Sequence, residues 1–133
     1  MNRSRAGTIF LWLALTFGGI FALLIPPFQS PDEPAHFMRA YQISEGVFFP
    51  EEKDQRLGGS LPASLAQVRD SFSFLKMNYN TQLDKDLIFR CLKRPLHAEQ
   101  RVFIDFPNTA VYAPTAYLPQ AAAIALLRPL HAT

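Results

Sequence analysis

The chain has 133 residues, of which 49% are hydrophobic and 18% charged, so it forms at most one ordinary domain and is not a disordered chain. All 11 acidic residues lie within 32–105, and the positive excess behind the net charge of +2 lies at the two ends, so no nucleic-acid partner is expected. Cys91 is the only cysteine, which excludes an intrachain disulfide and a four-thiolate zinc site.

The first predicted element is a membrane span over residues 6–25. These 20 residues carry no charge, and a helix of that length covers about 30 Å, the thickness of a bilayer core. A cleaved signal peptide is the alternative, but the run is long and ends in Ile25-Pro26-Pro27, a poor cleavage context. A soluble core helix fits less well, because the run is apolar on all sides. The basic residues in 1–5 predict a cytoplasmic N-terminus.

A second, weaker span is predicted over residues 110–127, which also carry no charge. Arg128 follows it directly, so residues 128–133 are expected in the cytoplasm. Pro114 and Pro119 interrupt the run, and an amphipathic or re-entrant helix at the membrane surface is the alternative interpretation. The two prolines leave backbone carbonyls without partners inside the helix, which suggests that other membrane helices pack against this segment.

Tyrosines lie near the outer end of the second predicted span. Tyr112 and Tyr117 are placed as an aromatic belt would be, at the boundary between hydrocarbon and head groups. The overall expectation is therefore a mainly α membrane protein, with two transmembrane helices flanking an external, mostly helical segment at 26–109.

The external segment is too long for a simple loop. A helix is predicted from Ser30 or Asp32, either of which could cap it, to Glu45, with Gly46 ending it. This helix follows a span and is amphipathic, so it is expected to lie along the bilayer surface.

The rest of the external segment is predicted from local patterns. Gly58-Gly59-Ser60 is interpreted as a chain break, followed by a helix from Leu61 to about Leu75. A short helix is predicted around 83–91 and a short strand at 102–106. His97 and His131 have no ligand partners at metal-binding spacing and are expected at the surface.

One cluster of chemically active side chains follows the first span. Asp32 and Glu33 are adjacent carboxylates, and His36 and Arg39 follow at helical spacing, which predicts one polar stripe. The acids could simply stabilise the helix N-terminus through its dipole. Alternatively, a carboxylate there is a general base toward a hydroxyl acceptor, or holds a divalent cation against a lipid-linked phosphate. His36 and Arg39 are then candidate phosphate-binding residues.

Three segments in order resemble the N-terminal part of an uncharacterised bacterial multi-pass membrane family, the domain of unknown function 2142. They read PPFQSPDEPAHFMRAYQISEG, GGSLPASL and FPNTAVYAPTAYLPQAAAIALLR. Tyr112, Tyr117 and Gln120 match the family's second-span motif. The resemblance implies a bacterial inner-membrane location, with several further spans.

That family is similar in layout to C-type glycosyltransferases, which take sugars from polyprenyl-phosphate donors. The similarity implies that Asp32 is a catalytic base or metal ligand, that Glu33 supports it, and that a glycan hydroxyl is the acceptor. No cofactor is predicted beyond this divalent cation. Because relatives continue for many more spans, the chain is expected to be a fragment that needs a downstream polypeptide and is inactive alone. A non-catalytic membrane-anchored interaction module is the alternative function, and a small secreted protein is a third.

Overall fold

The computed structural model describes residues 3–78 and 80–131. The helices are α1 (Arg3–Leu24), α2 (Glu33–Ser44), α3 (Ala63–Ser71), α4 (Lys85–Leu92), α5 (Pro107–Ala110) and α6 (Leu118–Leu127). The strands are β1 (Glu51–Lys53), β2 (Arg56–Pro62) and β3 (Arg101–Asp105). Short 3-10 turns cover Ser73–Leu75, Pro114–Tyr117 and Arg128–His131.

Helix α1 confirms the predicted apolar N-terminal helix. Its segment Arg5–Leu24 has a mean hydropathy of 2.0 and is not buried against the rest of the chain. Within the described residues it is the one helix long and apolar enough to cross a membrane. Such a helix covers about 30 Å at 1.5 Å per residue, and its outward apolar side chains need a lipid environment or other protein around them. The choice between an uncleaved anchor and a cleaved leader stays a prediction.

Helix α2 begins and ends close to the predicted positions. Asp32, and not Ser30, is the residue before the first helical residue, but its side chain makes no capping hydrogen bond. The backbone of Asp32 is already helical (φ −96°, ψ −14°), whereas a capping residue normally has an extended backbone. At the other end Gly46 adopts φ +83°, a left-handed conformation that glycine reaches without strain.

The largest departure from the sequence prediction is a three-stranded antiparallel sheet in the order β1-β2-β3. The predicted break at Gly58-Gly59-Ser60 is wrong, because these residues lie in the central strand. A Cβ at Gly58 would lie 2.8 Å from Asp105 Cα, and one at Gly59 would lie 2.5 Å from Gln42 Nε2. Both glycines therefore allow close approach to neighbouring elements, which is a different use of glycine from a turn.

The predicted helix over 61–75 is accordingly wrong at its start. Leu61 and Pro62 are the last residues of β2, and the helix occupies only Ala63–Ser71. The short helix is confirmed as α4, where the Asp84 carboxylate accepts a capping hydrogen bond of 3.0 Å from the Asp86 N–H. The predicted strand is confirmed as β3, one residue earlier than expected.

Helix α2 lies between the sheet and α6, and this arrangement forms the core. On one side Met38 and Tyr41 pack with Leu61, Ile104 and Phe106. On the other side Ala40 and Ile43 pack with Tyr117 and Ala121. The segment after α1, predicted to be mostly helical, is thus a mixed helical and sheet unit built around α2.

The predicted second span, 110–127, is not one continuous α-helix. It contains the end of α5, a 3-10 turn and α6, whose ten residues cover about 15 Å, half of a bilayer core. Tyr117 is 5% exposed and packed against α2, so its placement in an interfacial aromatic belt is wrong. A second membrane span and a cytoplasmic C-terminal end stay predictions.

Candidate functional site

The N-terminus of α2 and the end of α1 enclose an open cleft of about 900 Å³, called here the α1–α2 cleft. Its two sides differ in chemistry. Apolar residues come from the end of α1 and the turn after it, and polar residues come from the start of α2. The lining residues are Phe21, Ala22, Ile25, Pro27, Ser30, Asp32, Glu33 and His36.

Three of the four predicted site residues line this cleft. Asp32 is exposed, Glu33 is half-buried and His36 is exposed. Pro31 and Pro34 fix the backbone around the two acids, which puts both carboxylates within one helical turn of the imidazole. In the described part of the chain neither carboxylate forms an ion pair within 4.0 Å. Both are thus available to an incoming group.

His36 is held from the far side by a tyrosine that lies 81 positions later. Its Nδ1 is 2.9 Å from the Tyr117 hydroxyl oxygen, and the two rings lie 5.8 Å apart. Burial raises the pKa of Tyr117 and nearby Arg39 lowers it, with a net rise, so the phenol stays protonated. When Tyr117 donates this bond, neutral His36 carries its proton on Nε2 and can donate to an acceptor in the cleft.

Arg39 does not join the polar stripe. It is 1% exposed, and its guanidinium donates to Gln42 Oε1 at 2.6 Å and to the Phe48 carbonyl at 2.9 Å. A longer bond of 3.5 Å reaches the Tyr112 carbonyl. Burial lowers the pKa of Arg39, while the nearby Tyr117 raises it. These contacts tie α2 to two loops, so the geometry gives Arg39 a structural role and leaves phosphate binding a prediction.

Sequence reasoning missed the contact between His36 and Tyr117. The only signal was a tyrosine in an otherwise apolar run, which equally suited a membrane interface. In residues 3–78 and 80–131 the structure groups no three His, Cys, Asp or Glu side chains as a metal site would require. His97 is exposed, as expected, and the His131 side chain lies outside the described residues.

An exposed apolar helix of membrane-spanning length is a feature that membrane proteins share with secretory leaders. The chain belongs to the family described as predicted membrane protein (DUF2142), whose sequence model matches residues 15–132. That match covers nearly the whole chain and begins inside α1. No curated protein matches the chain, and no solved structure does.

Proposed function

We propose that the chain is the N-terminal, membrane-anchored part of a glycosyltransferase-like protein that uses a polyprenyl-phosphate sugar to build cell-envelope polysaccharide. The observation that supports this most directly is the α1–α2 cleft. Two free carboxylates and an imidazole face a wall formed by the apolar end of α1. A lipid-linked phosphate sugar has the same two-sided chemistry, with a hydrocarbon tail and a polar head.

In the proposed reaction the glycan hydroxyl oxygen attacks the anomeric carbon of the donor sugar. The bond between that carbon and the phosphate oxygen breaks, and the phosphate leaves with its lipid. Asp32 accepts the hydroxyl proton as general base, and Glu33 supports it. His36 donates from Nε2 to a phosphate oxygen, which offsets charge on the leaving group.

We propose that α1 anchors the protein in the bacterial inner membrane, with the N-terminus in the cytoplasm. The family match begins at residue 15, inside α1, which favours a retained helix over a removed leader. Arg39 binds both the Phe48 and Tyr112 carbonyls, so two exposed apolar segments lie side by side. They contain Val47, Phe48, Phe49, Val111 and Tyr112 and are suited to contact the lipid surface.

A membrane-anchored interaction module is the second candidate function. It is supported by the outward side chains of α6, where Leu118, Leu126 and Leu127 are 48%, 77% and 55% exposed. Exposed leucines on one helix are suited to pack against further membrane helices or a downstream polypeptide. The two candidates differ in whether Asp32 is needed for chemistry.

The experiment compares Asp32→Asn with Asp84→Asn, a control at another helix N-terminus. Membranes that contain the chain with its membrane partners are assayed for transfer of labelled sugar from a polyprenyl-phosphate donor to a glycan. Loss of a general base should slow transfer by about 10²–10⁴-fold in Asp32→Asn, while Asp84→Asn transfers normally. Unchanged transfer in Asp32→Asn would exclude the catalytic role and favour the interaction module.

The orientation is tested in intact cells by accessibility of single cysteines introduced into a Cys91→Ser background. A cysteine at exposed Gln55, in the turn between β1 and β2, should react with a membrane-impermeant maleimide, whereas one at Asn2 should react only after lysis. The reverse pattern would overturn the proposed orientation. A cysteine at Thr133 reports whether the chain crosses the membrane a second time.

A further inference from the structure

A second pocket lies between α2, α3, the end of α4 and α6, and takes no part in the proposed reaction. It has a volume of about 520 Å³, within the usual range for small-ligand sites. We call it the Tyr41–Arg128 pocket, after two of its lining residues. Its apolar wall comes from these helices and from the loop after α4, and is formed by Phe37, Leu65, Val68, Leu92, Leu96, Ile124 and Leu127.

The charged residues that line this pocket are all positive. Lys93, Arg94 and Arg128 line it, and no acidic residue is found in its lining as far as the structure describes the chain. Arg94 and Arg128 bond to neutral partners, the first to Gln67 Oε1 at 2.6 Å and the second to the Ser44 hydroxyl. Their positive charge is therefore not neutralised within the pocket, which favours an anionic ligand.

Two residues that line the pocket each carry a hydrogen-bond donor that is closed to solvent and has no acceptor among the described residues. Among the described residues, neither the Tyr41 hydroxyl nor Arg128 Nε has a hydrogen-bond partner. The Arg128 guanidinium lies 4.9 Å from the centre of the Tyr41 ring, so the two donors belong to one cluster. The acidic residue whose charge acts on Tyr41 is Glu45, and its carboxylate already accepts two hydrogen bonds of 2.8 Å from Arg101.

We propose that the Tyr41–Arg128 pocket binds the phosphate and part of one acyl chain of an anionic phospholipid. The phosphate oxygens accept from the guanidinium groups of Arg94 and Arg128, while Lys93 holds the head group at the rim. The acyl chain lies along the leucine-rich wall. An anionic head next to a hydrocarbon tail matches the combination of three cations and an apolar wall. This site is independent of Asp32 and of the proposed sugar transfer.

Cys91 provides a direct reporter, because it lines the pocket, is half-buried, and is the only cysteine of the chain. The protein is purified in a nonionic detergent, and the rate of Cys91 alkylation by N-ethylmaleimide is measured with short-chain lipids added. At a dihexanoyl phosphatidylglycerol concentration about ten times its Kd, occupancy should slow alkylation about tenfold. Dihexanoyl phosphatidylcholine, which has no net charge, should protect weakly.

Variants test which side chains carry the recognition. Lys93→Gln combined with Arg94→Gln changes exposed rim residues and should abolish the preference for phosphatidylglycerol without unfolding the chain. Arg128→Gln should do the same through the buried cluster. Arg90→Gln is the matched control, because Arg90 lies on α4, is 65% exposed and does not line the pocket.

Several results would overturn the proposal. Equal protection by the two phospholipids would show that only the hydrocarbon binds, and no protection by either would show an empty pocket. Equal protection by decanoate would remove the requirement for a phosphate. Stronger protection by farnesyl phosphate than by phosphatidylglycerol would assign the pocket to a polyprenyl phosphate. A preserved preference in Lys93→Gln/Arg94→Gln would remove the role of the rim cations.

Discussion

Replacing Arg39 by methionine tests whether this residue holds the fold together or serves the cleft. The change removes the donors of two short hydrogen bonds, at 2.6 Å to Gln42 and 2.9 Å to Phe48. Bonds from a charged donor contribute about 1.5–3 kcal/mol each, so two of them contribute about 3–6 kcal/mol. Removing a buried charge recovers part of its desolvation cost, and methionine fills much of the space. We expect a net loss of about 3 kcal/mol.

The assay is amide hydrogen exchange of β2 and α2 in detergent, since α1 stays helical in micelles and would dominate circular dichroism. A loss of about 3 kcal/mol corresponds to exchange about a hundredfold faster in these elements. Arg56→Met is the control, because Arg56 is 55% exposed and its ion pair with Asp54 is 4.0 Å long. It should change the stability by less than about 1 kcal/mol. Equal protection of Arg39→Met and Arg56→Met would refute the structural role.

Three further predictions concern caps, close approach and alkaline pH. Asp84→Ala removes a capping hydrogen bond and should lower the free energy of unfolding by about 1 kcal/mol in denaturant unfolding. Asp32 makes no such bond, so Asp32→Ala should lower it by less. Gly58→Ala should cost about 1–3 kcal/mol in denaturant unfolding, because its Cβ would meet the backbone of β3. Burial raises the pKa of Tyr41, so the contribution of this group to the stability is constant below pH 10, the usual tyrosine value, and is lost above it. Tyr41→Phe should reduce this alkaline loss but not abolish it, since burial also raises the pKa of Tyr117.

Each of these has a result that contradicts it. Equal losses in the two alanine variants of the caps would mean that the Asp32 side chain stabilises α2 after all. An alanine at Gly58 that leaves the denaturation midpoint unchanged would show that β2 and β3 can separate locally at no cost. Stability in Tyr41→Phe that falls above pH 10 as steeply as in the parent would place the titrating groups elsewhere.

The elements that were predictable are those with strong local signals. Helix α1 follows from an uninterrupted apolar run, and the end of α2 follows from Gly46. The β1–β2 hairpin has no such signal. Its turn is formed by Asp54 and Gln55, both with positive φ and neither a glycine. The first strand reads EEK, and the second contains two glycines, which weakens any strand pattern.

In the α1–α2 cleft too, only the local arrangement could be predicted from the sequence. Asp32, Glu33 and His36 come together because they lie within about one helical turn, which spacing alone predicts. Arg39 is buried because the sheet and α6 cover two sides of α2, and neither contact is visible from α2's own sequence. The bond from His36 to Tyr117 joins residues 81 positions apart and depends on the tertiary fold.

The packing of α6 along α2 bears on where the second half of the chain lies. His36 contacts Tyr117 at the start of the two helices, and Ser44 contacts Arg128 at their ends, so the helices run parallel. Arg128 therefore lies beside the C-terminal end of α2. If α6 crossed the membrane in this arrangement, α2 would cross with it, carrying half-buried Glu33 and exposed His36 into the hydrocarbon at a cost of several kcal/mol. The packing thus favours the surface or re-entrant interpretation of residues 110–127 over a second span.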